Sequence, residues 1–183
     1  MFEIKNGTLS AVDIGTNSFH LIIAKIHNDK FSVIDRLKEV VRLGLGSSDM
    51  KYITEEAMDR GIITLKRFKA LSDLHHASIR AVATSAVREA LNKSEFLRRV
   101  KTETDIDIEI ISGFEEARLI YLGVLQSLPI FKEKVLIVDI GGGSTEFLCG
   151  QKGDVFFAES IKLGAVRYTQ KFFVSEKLNL DSV

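Results

Sequence analysis

The sequence contains one cysteine, one proline and no tryptophan, and neither sign of charge is in excess. The single Cys149 leaves no partner for an intrachain disulfide and no zinc cluster, so it fits a reducing compartment and predicts a cytoplasmic protein. Lys and Arg number 25, as do Asp and Glu, which gives a formal net charge of zero at pH 7. A net charge of zero therefore gives no overall electrostatic attraction to nucleic acid or to an anionic membrane surface.

Long apolar runs are also absent. No stretch approaches the roughly 18 uninterrupted apolar residues of a membrane span, and residues 1–15 lack the apolar region of a signal peptide. The 45% of hydrophobic and 27% of charged residues are typical of a globular chain and exclude a disordered one. The 183 residues are enough for one large domain or two small ones.

Apolar patterning predicts an α/β chain that begins with an antiparallel meander of strands at 8–14, 19–26 and 31–37. Thr54, followed by two glutamates, has the composition of a helix N-cap. The further predicted elements are helices at 54–73, 85–92, 94–101 and 112–128, strands at 79–83 and 106–111, a second meander at 135–140, 145–149 and 155–163, and a helical pattern after Gly164.

An internal repeat is the most informative feature of the sequence. VDIGTNS at 12–18 recurs as VDIGGGS at 138–144, with five of seven positions identical, and each copy opens a strand-turn-strand hairpin. Pro129, the sole proline, separates the two halves. We therefore predict a first lobe at 1–128 and the start of a similar lobe at 129–183, with both hairpin turns facing a shared cleft.

The two turns are candidate phosphate-binding loops, because glycine lets backbone N–H groups converge on an anion and hydroxyls add donors. The candidate residues are Gly15, Thr16, Asn17 and Ser18 in the first turn and Gly141, Gly142, Gly143, Ser144 and Thr145 in the second. The alternative is that both are ordinary hairpin turns that need glycine for a positive φ. Two copies in matched contexts favour the phosphate-binding interpretation.

Three carboxylates would gather around this cleft: Asp13, Asp139 and Glu146. Such an arrangement repels a polyphosphate unless a cation intervenes, and Mg²⁺ is the expected bridge because it takes oxygen ligands from one or two carboxylates plus substrate phosphates. For Glu146 the alternative is an outward-facing strand residue.

The helix that begins near Ser112 supplies a candidate general base. Ser112 and Glu115 fit an S-x-x-E capping box, which predicts that Glu115 bonds to the backbone and leaves Glu116 to activate water in the cleft. The alternative is that both glutamates only complement the helix dipole. Arg88, at a strand-to-helix junction, is a candidate phosphate ligand that nothing internal distinguishes from the other arginines. The histidines lack ligand spacing, and we expect them to be structural.

The chain resembles the exopolyphosphatase / guanosine pentaphosphate phosphohydrolase family, within the actin, sugar-kinase and heat-shock-chaperone superfamily. The motifs that carry this resemblance are DIGTNS at 13–18, ATSAVREALN at 83–92, ISGFEEARLI at 111–120 and DIGGGST at 139–145. The first and last motifs alone are typical of the superfamily, whereas together with the glutamate-bearing helix they indicate the family.

The resemblance implies an actin-like (ribonuclease H-like) α/β lobe with a mixed five-stranded sheet and flanking helices, plus the beginning of a second similar lobe. It implies hydrolysis of the terminal phosphate of inorganic polyphosphate or of the 5′-γ-phosphate of guanosine pentaphosphate, with Mg²⁺, in the stringent response. By position, Glu116 matches the general base, Asp139 and Glu146 the metal-linked acids, and Arg88 a phosphate-contacting arginine. A homodimer also fits the family.

Members of the family continue beyond the point where this sequence stops, so we expect an N-terminal fragment with weak or no activity alone and with uncovered strand edges and apolar faces. Two other functions stay open. One is an ATP-dependent sugar or carboxylate kinase of the same superfamily, and the other is a non-catalytic module that senses a phosphorylated nucleotide.

Overall fold

The computed structural model describes residues 6–28, 30–46 and 50–173. The last part of the predicted second lobe, residues 174–183, lies outside the described residues. The strands are β1 Asn6–Ile14, β2 Ser18–His27, β3 Lys30–Val40, β4 Ser78–Ala83, β5 Ile108–Ile110, β6 Val135–Ile140, β7 Thr145–Gln151 and β8 Asp154–Ile161. The helices are α1 Glu55–Leu74, α2 Ser85–Glu89, α3 Lys93–Thr104, α4 Gly113–Ser127 and α5 Ala165–Phe172.

The first sheet has five strands in the order β3-β2-β1-β4-β5. β1, β2 and β3 form the predicted antiparallel meander, while β4 and β5 add in parallel beside β1. The mixed five-stranded sheet predicted from the family resemblance is therefore confirmed. A separate three-stranded antiparallel sheet, in the order β6-β7-β8, contains the second meander.

One face of the five-stranded sheet carries the main core. Alternate β1 residues, such as Val12 and Ile14, point into this face and share one buried cluster with residues of α1 and α3. Phe19 from β2, Phe68 from α1 and Phe96 from α3 are all fully buried in that layer. The residues between them, including Asp13, point to the opposite face because side chains alternate along a strand.

Helix α2 and strand β5 are both shorter than the apolar pattern predicts. α2 ends at Glu89 because the chain turns to let the Asn92 amide pair with the backbone of Ile53, at 3.0 Å from the Ile53 N–H and 2.8 Å to its carbonyl. β5 has only three paired residues, Ile108–Ile110, and the left-handed Asp105 ends α3 before it. The start of α1 follows the prediction, with the Thr54 hydroxyl accepting from the Ala57 N–H at 3.3 Å.

Helix α4 packs on the second sheet rather than on the first. Ala117 and Tyr121, one turn apart, are buried against Leu148 of β7, and Leu125 continues the same stripe. Pro129 follows the end of α4. The apolar face of α4 packs in the core of the second sheet. Helix α4, which precedes the predicted boundary, therefore shares its buried cluster with the second sheet, and the lobe boundary after residue 128 stays a prediction.

The second sheet leaves apolar surface uncovered, as we expected. β6 lies at one edge of this sheet and exposes Leu136, Val138 and Ile140 by 62%, 47% and 68%. In the part of the chain that the structure describes, no helix is long and apolar enough to cross a membrane.

Candidate active site

The two copies of the repeat form equivalent turns that line one cleft of about 700 Å³. In the first turn the Gly15 N–H donates to the Ser18 carbonyl at 3.2 Å, and in the second the Gly141 N–H donates to the Ser144 carbonyl at 2.9 Å. None of the glycines at 15, 141, 142 and 143 has a positive φ. The alternative that these turns need glycine for a left-handed backbone is therefore wrong.

At Gly142 and Gly143, glycine is needed instead because the two turns touch. A Cβ atom on Gly142 would lie 3.1 Å from the Cβ of Thr16, and one on Gly143 would lie 2.8 Å from the Thr16 hydroxyl oxygen. The carbonyls of Gly141 and Gly142 accept from the N–H groups of Ala165 and Val166 at the start of α5, both at 2.9 Å. The second turn thus fits between the first turn and α5.

Backbone donors remain available in both turns. Within the described ranges, the N–H groups of Thr16, Asn17, Gly142 and Gly143 donate no hydrogen bond. Unsatisfied N–H groups that converge on a cleft are the donors that an anion such as phosphate requires. Ser144 is buried and lines the cleft, whereas the Thr145 hydroxyl donates to the Leu163 carbonyl and does not line it.

Ion pairs also connect the segment that holds the second turn to the first lobe. Arg167 of α5 donates from Nε to the Gly143 carbonyl at 2.9 Å and pairs with Glu89 of α2 at 3.1 Å. Lys162 approaches the same carboxylate oxygen of Glu89 at 3.0 Å. Glu89 therefore links α2 to the segment that holds the second turn. No motif in the sequence indicated this contact, which spans 78 positions along the chain.

Asp13 and Asp139 occupy equivalent positions, each two residues before the first glycine of its turn, and both line the cleft. Burial raises the pKa of the Asp13 carboxyl, attraction to His20 opposes that rise, and repulsion from Asp139 adds to it. The two carboxylates are thus close enough to interact across the cleft.

Glu146 lies directly opposite Asp139 in the β6–β7 pairing and is only 2% exposed. Its carboxylate accepts from the Ser160 hydroxyl at 2.6 Å. The outward-facing alternative for Glu146 is therefore wrong, because the side chain is buried beside its cross-strand neighbour Asp139.

These acids fit Mg²⁺ by their chemistry. Like charges on directly opposite strand residues destabilise a sheet unless something neutralises them, and Asp139 and Glu146 are such a pair. In the described ranges no cluster of three or more His, Cys, Asp or Glu side chains could hold a metal ion alone. Two carboxylates on directly opposite strand residues offer the oxygen ligands that Mg²⁺ takes together with water and substrate phosphates.

Glu116 projects into the cleft from the first turn of α4, and Glu115 does not. The Ser112 hydroxyl caps the helix by accepting from the Glu115 N–H at 3.1 Å, as predicted. The reciprocal bond of the capping box is absent, because the Glu115 carboxylate instead accepts two bonds of 2.8 Å from Arg118. The Glu115 carboxylate is therefore hydrogen-bonded, as predicted, but to the Arg118 side chain rather than to the backbone.

The environment of Glu116 suits a general base. Its side chain is 14% exposed, and burial raises its pKa to about 7, opposed by a hydrogen bond from Arg88 and reinforced by the negative charges of Glu146 and Asp13. A carboxylate with a pKa near neutrality balances proton affinity against the fraction of deprotonated base. The explanation that both glutamates only complement the helix dipole does not account for this burial.

Arg88 lies behind Glu116 rather than among the residues that line the cleft. It donates to Glu116 at 2.8 Å and to the Ile111 carbonyl at 3.2 Å. The structure thus distinguishes Arg88 from the other arginines by its bond to Glu116. Its predicted contact with phosphate stays a prediction.

Two titratable residues that line the cleft were not predicted. His20, which we expected to be structural, lines the cleft opposite Asp13, and Lys38 lies beside it on β3. The position of His20 could have been predicted from the hairpin register, because a turn centred between Thr16 and Asn17 pairs Asp13 with His20.

We expect Gly143→Ala to destabilise the protein by about 1–3 kcal/mol, the usual cost of overpacking. The added Cβ would lie 2.5 Å from the Ser85 hydroxyl oxygen, closer than real Cβ contacts. Urea unfolding measures the change. Gly123→Ala is the matched control, because a Cβ there meets nothing within 4 Å and replaces a glycine inside α4; it should add about 0.5–1 kcal/mol. Equal stability of the two variants would contradict the packing of the turns.

Known proteins resemble this chain over most of its length. A bifunctional 3-dehydroquinate synthase/phosphatase of Fusobacterium nucleatum is 39% identical, covering 96% of this chain and 28% of that protein. The crystal structure of an exopolyphosphatase from Cytophaga hutchinsonii superposes with a TM-score of 0.90 at 40% identity, covering 96% of this chain and 56% of that one. The Aquifex aeolicus PPX-GPPA enzyme gives a TM-score of 0.78 at 37% identity, with coverages of 90% and 55%.

A more distant neighbour shows the fold alone. MreB5 of Spiroplasma citri, at 20% identity, superposes with a TM-score of 0.50, and this supports the predicted actin-like fold. The chain spans about half the length of the solved structures that it matches, and a smaller share of the bifunctional protein. The model of the Ppx/GppA phosphatase family matches residues 22–183. Because that match covers most of the sequence and includes the glutamate-bearing helix and the second turn, the chain belongs to the Ppx/GppA phosphatase family.

Proposed function

We propose that the full-length protein hydrolyses the terminal phosphoanhydride bond of inorganic polyphosphate, with Glu116 as the general base and with Mg²⁺. The observation that carries the proposal is the position of Glu116: a carboxylate with a pKa near 7 lines the same cleft as two turns with free N–H donors. The family and the Cytophaga exopolyphosphatase support polyphosphate as the substrate class.

The two turns would hold the terminal phosphoryl group. N–H groups of Thr16, Asn17, Gly142 and Gly143 would donate to its oxygens, and the contact between the turns would fix their separation. Preorganised donors of this kind stabilise the charge that develops on a transferring phosphoryl group. Mg²⁺, held by Asp13 and Asp139 with Glu146 behind them, would neutralise the phosphate oxygens and the carboxylates together.

Glu116 would orient a water molecule and accept its proton as the water oxygen bonds to phosphorus. The bond from phosphorus to the bridging oxygen then breaks, which releases orthophosphate and a polyphosphate shorter by one unit. Arg88 would act through Glu116, since its bond to the carboxylate fixes the direction from which the base approaches the cleft. Hydrolysis of the 5′-γ-phosphate of guanosine pentaphosphate would use the same steps.

Release of orthophosphate by the full-length protein tests this function. Polyphosphate, guanosine pentaphosphate and ATP with a sugar acceptor are compared, each with Mg²⁺ and with EDTA. We expect metal-dependent phosphate release from the first substrate or the first two, in the absence of any acceptor. Phosphorylation of the acceptor would favour the kinase alternative, and tight binding without turnover would favour the sensing module. A cytoplasmic location, a homodimer and a role in the stringent response accompany this proposal.

A further inference from the structure

Helix α2 holds two different parts of the candidate active site through neighbouring residues. Arg88 donates to the Glu116 carboxylate at 2.8 Å. Glu89, the next residue, accepts from Arg167 of α5 at 3.1 Å. Arg167 also donates from Nε to the Gly143 carbonyl of the second turn at 2.9 Å. The candidate base and the second turn, which belong to different elements, are therefore both fixed to the same short helix.

The carbonyl groups of the second turn all bond to α5. Those of Gly141 and Gly142 accept from backbone N–H groups at the start of the helix, and that of Gly143 accepts from the Arg167 side chain. Because a trans peptide unit is planar, its C=O and its N–H point in opposite directions. The N–H groups of residues 142–144 therefore point away from α5. Within the described ranges they donate no hydrogen bond, and all three residues line the cleft.

The peptide that joins Gly143 to Ser144 is held by a side chain, whereas the two peptides before it are held by helix backbone. Its orientation depends on the direction of the Arg167 guanidinium, which Glu89 fixes by accepting from Nη2. A planar guanidinium that donates from two nitrogens is held in one plane. The two side chains are only 18% and 16% exposed, so salt screens this ion pair less than it screens an exposed one.

We propose that Glu89 and Arg167 are positioning residues for phosphoryl transfer. The pair orients the peptide between Gly143 and Ser144 so that its N–H donates to the terminal phosphoryl group, and α2 holds this donor in a fixed relation to Glu116. The proposal deepens the proposed function and rests on it. In the described part of the chain, neither Glu89 nor Arg167 lines the cleft, so both act through the groups that they hold. A donor and a base that are fixed beforehand need no rearrangement as charge develops on the phosphoryl group.

Two substitutions of Glu89 in the full-length protein separate its hydrogen bond from its charge. Glu89→Gln removes the charge but keeps an oxygen that can accept from Arg167, whereas Glu89→Ala removes both. Steady-state kinetics with polyphosphate and Mg²⁺ give kcat and KM, and urea unfolding gives stability. Glu89→Ala should lower kcat about 10²-fold and raise KM only about threefold, because oriented donors act most strongly on the transition state. Glu89→Gln should restore kcat to within about threefold of the wild type. A purely structural role would lower the stability of both variants without this difference in kcat.

Arg167→Lys and Lys162→Gln test the other side of the ion pair. Arg167→Lys keeps a positive charge for Glu89, but one ammonium cannot reproduce the two donors of the guanidinium, so kcat should fall about tenfold. Lys162→Gln is the matched control, because Lys162 pairs with the same oxygen of Glu89 at 3.0 Å and is 73% exposed. It should keep kcat within about twofold, as expected for the loss of an exposed ion pair. An equal loss of kcat in Glu89→Ala and Glu89→Gln would overturn the positioning role. If Glu89→Ala does not fold, Arg167→Lys decides by the same kinetics.

Orthophosphate binding distinguishes a failure of this proposal from a failure of the proposed function, because it requires no turnover. Calorimetry on the full-length proteins should give a Kd about threefold higher for Glu89→Ala and for Arg167→Lys than for the wild type. If the wild type released no phosphate from polyphosphate, the hydrolase would be overturned, and the higher Kd would still support the orientation of the donor. If the wild type released phosphate while both variants kept its kcat and its Kd for orthophosphate, the positioning role would be overturned and the function would stand.

Discussion

Glu116→Gln is expected to lower kcat for phosphate release from polyphosphate by a factor of about 10² to 10⁴, the usual contribution of a general base. Glutamine keeps the size of the side chain and can still accept the hydrogen bond from Arg88, but it cannot take a proton from water. The bond of 2.8 Å to Arg88 should therefore survive, and the cleft should keep its shape. Substrate affinity should change little, because the proposed phosphate ligands are the N–H groups of the two turns and Glu116 is not among them.

Steady-state kinetics on the full-length protein, with Kd measured separately, provides the measurement. Glu115→Gln is a closely matched control: it removes the adjacent carboxylate of the same helix turn, which binds Arg118. Glu115→Gln should retain kcat within about twofold. If both variants retained full turnover, Glu116 would not be the base. If Glu115→Gln lost turnover as well, the helix terminus rather than the carboxylate would be required.

Much of the fold could be predicted because local patterns and tertiary packing agree. The meander β1–β3 follows from alternating apolar residues, and the start of α1 follows from the hydroxyl of Thr54. The patterns failed where a long-range contact decides the outcome. α2 stops early because Asn92 bonds to Ile53, 39 positions away. α4 joins the second core because its stripe of Ala117 and Tyr121 meets β7, which its own sequence cannot show.

The candidate site was predicted to a similar extent and for similar reasons. The repeat indicated both turns and their aspartates because the same backbone geometry is needed twice, and the helix cap distinguished Glu116 from Glu115. The sequence could not show that Arg88 bonds to Glu116, since the two lie 28 positions apart. It also could not show that Glu89 connects the lobes, because an ion pair has no local pattern.

The raised pKa of Glu116 has a consequence for stability that is independent of catalysis. The ordinary pKa of this carboxyl, 4.5, applies to the unfolded chain, whereas the folded value is about 7. Below pH 4.5 both states hold the proton. Between 4.5 and 7 the unfolded chain releases it while the folded chain retains it, so the folded state loses stability as the pH rises. Above 7 the loss is complete, because burial disfavours the carboxylate.

Glu116→Gln should therefore be more stable than the wild type above pH 7, by on the order of 3 kcal/mol, and equal to it below about pH 4.5. Urea unfolding of both proteins in EDTA, from pH 4 to pH 8.5, measures the difference without metal. Glu115→Gln should show the reverse sign, because Arg118 holds the pKa of Glu115 below its usual range and the folded state gains from that ionised carboxylate. A Glu116→Gln difference that did not grow between pH 4.5 and 7 would contradict the raised pKa. A gain in stability together with a loss of turnover would show that the folded protein keeps a destabilising carboxylate where the proposed reaction needs a base.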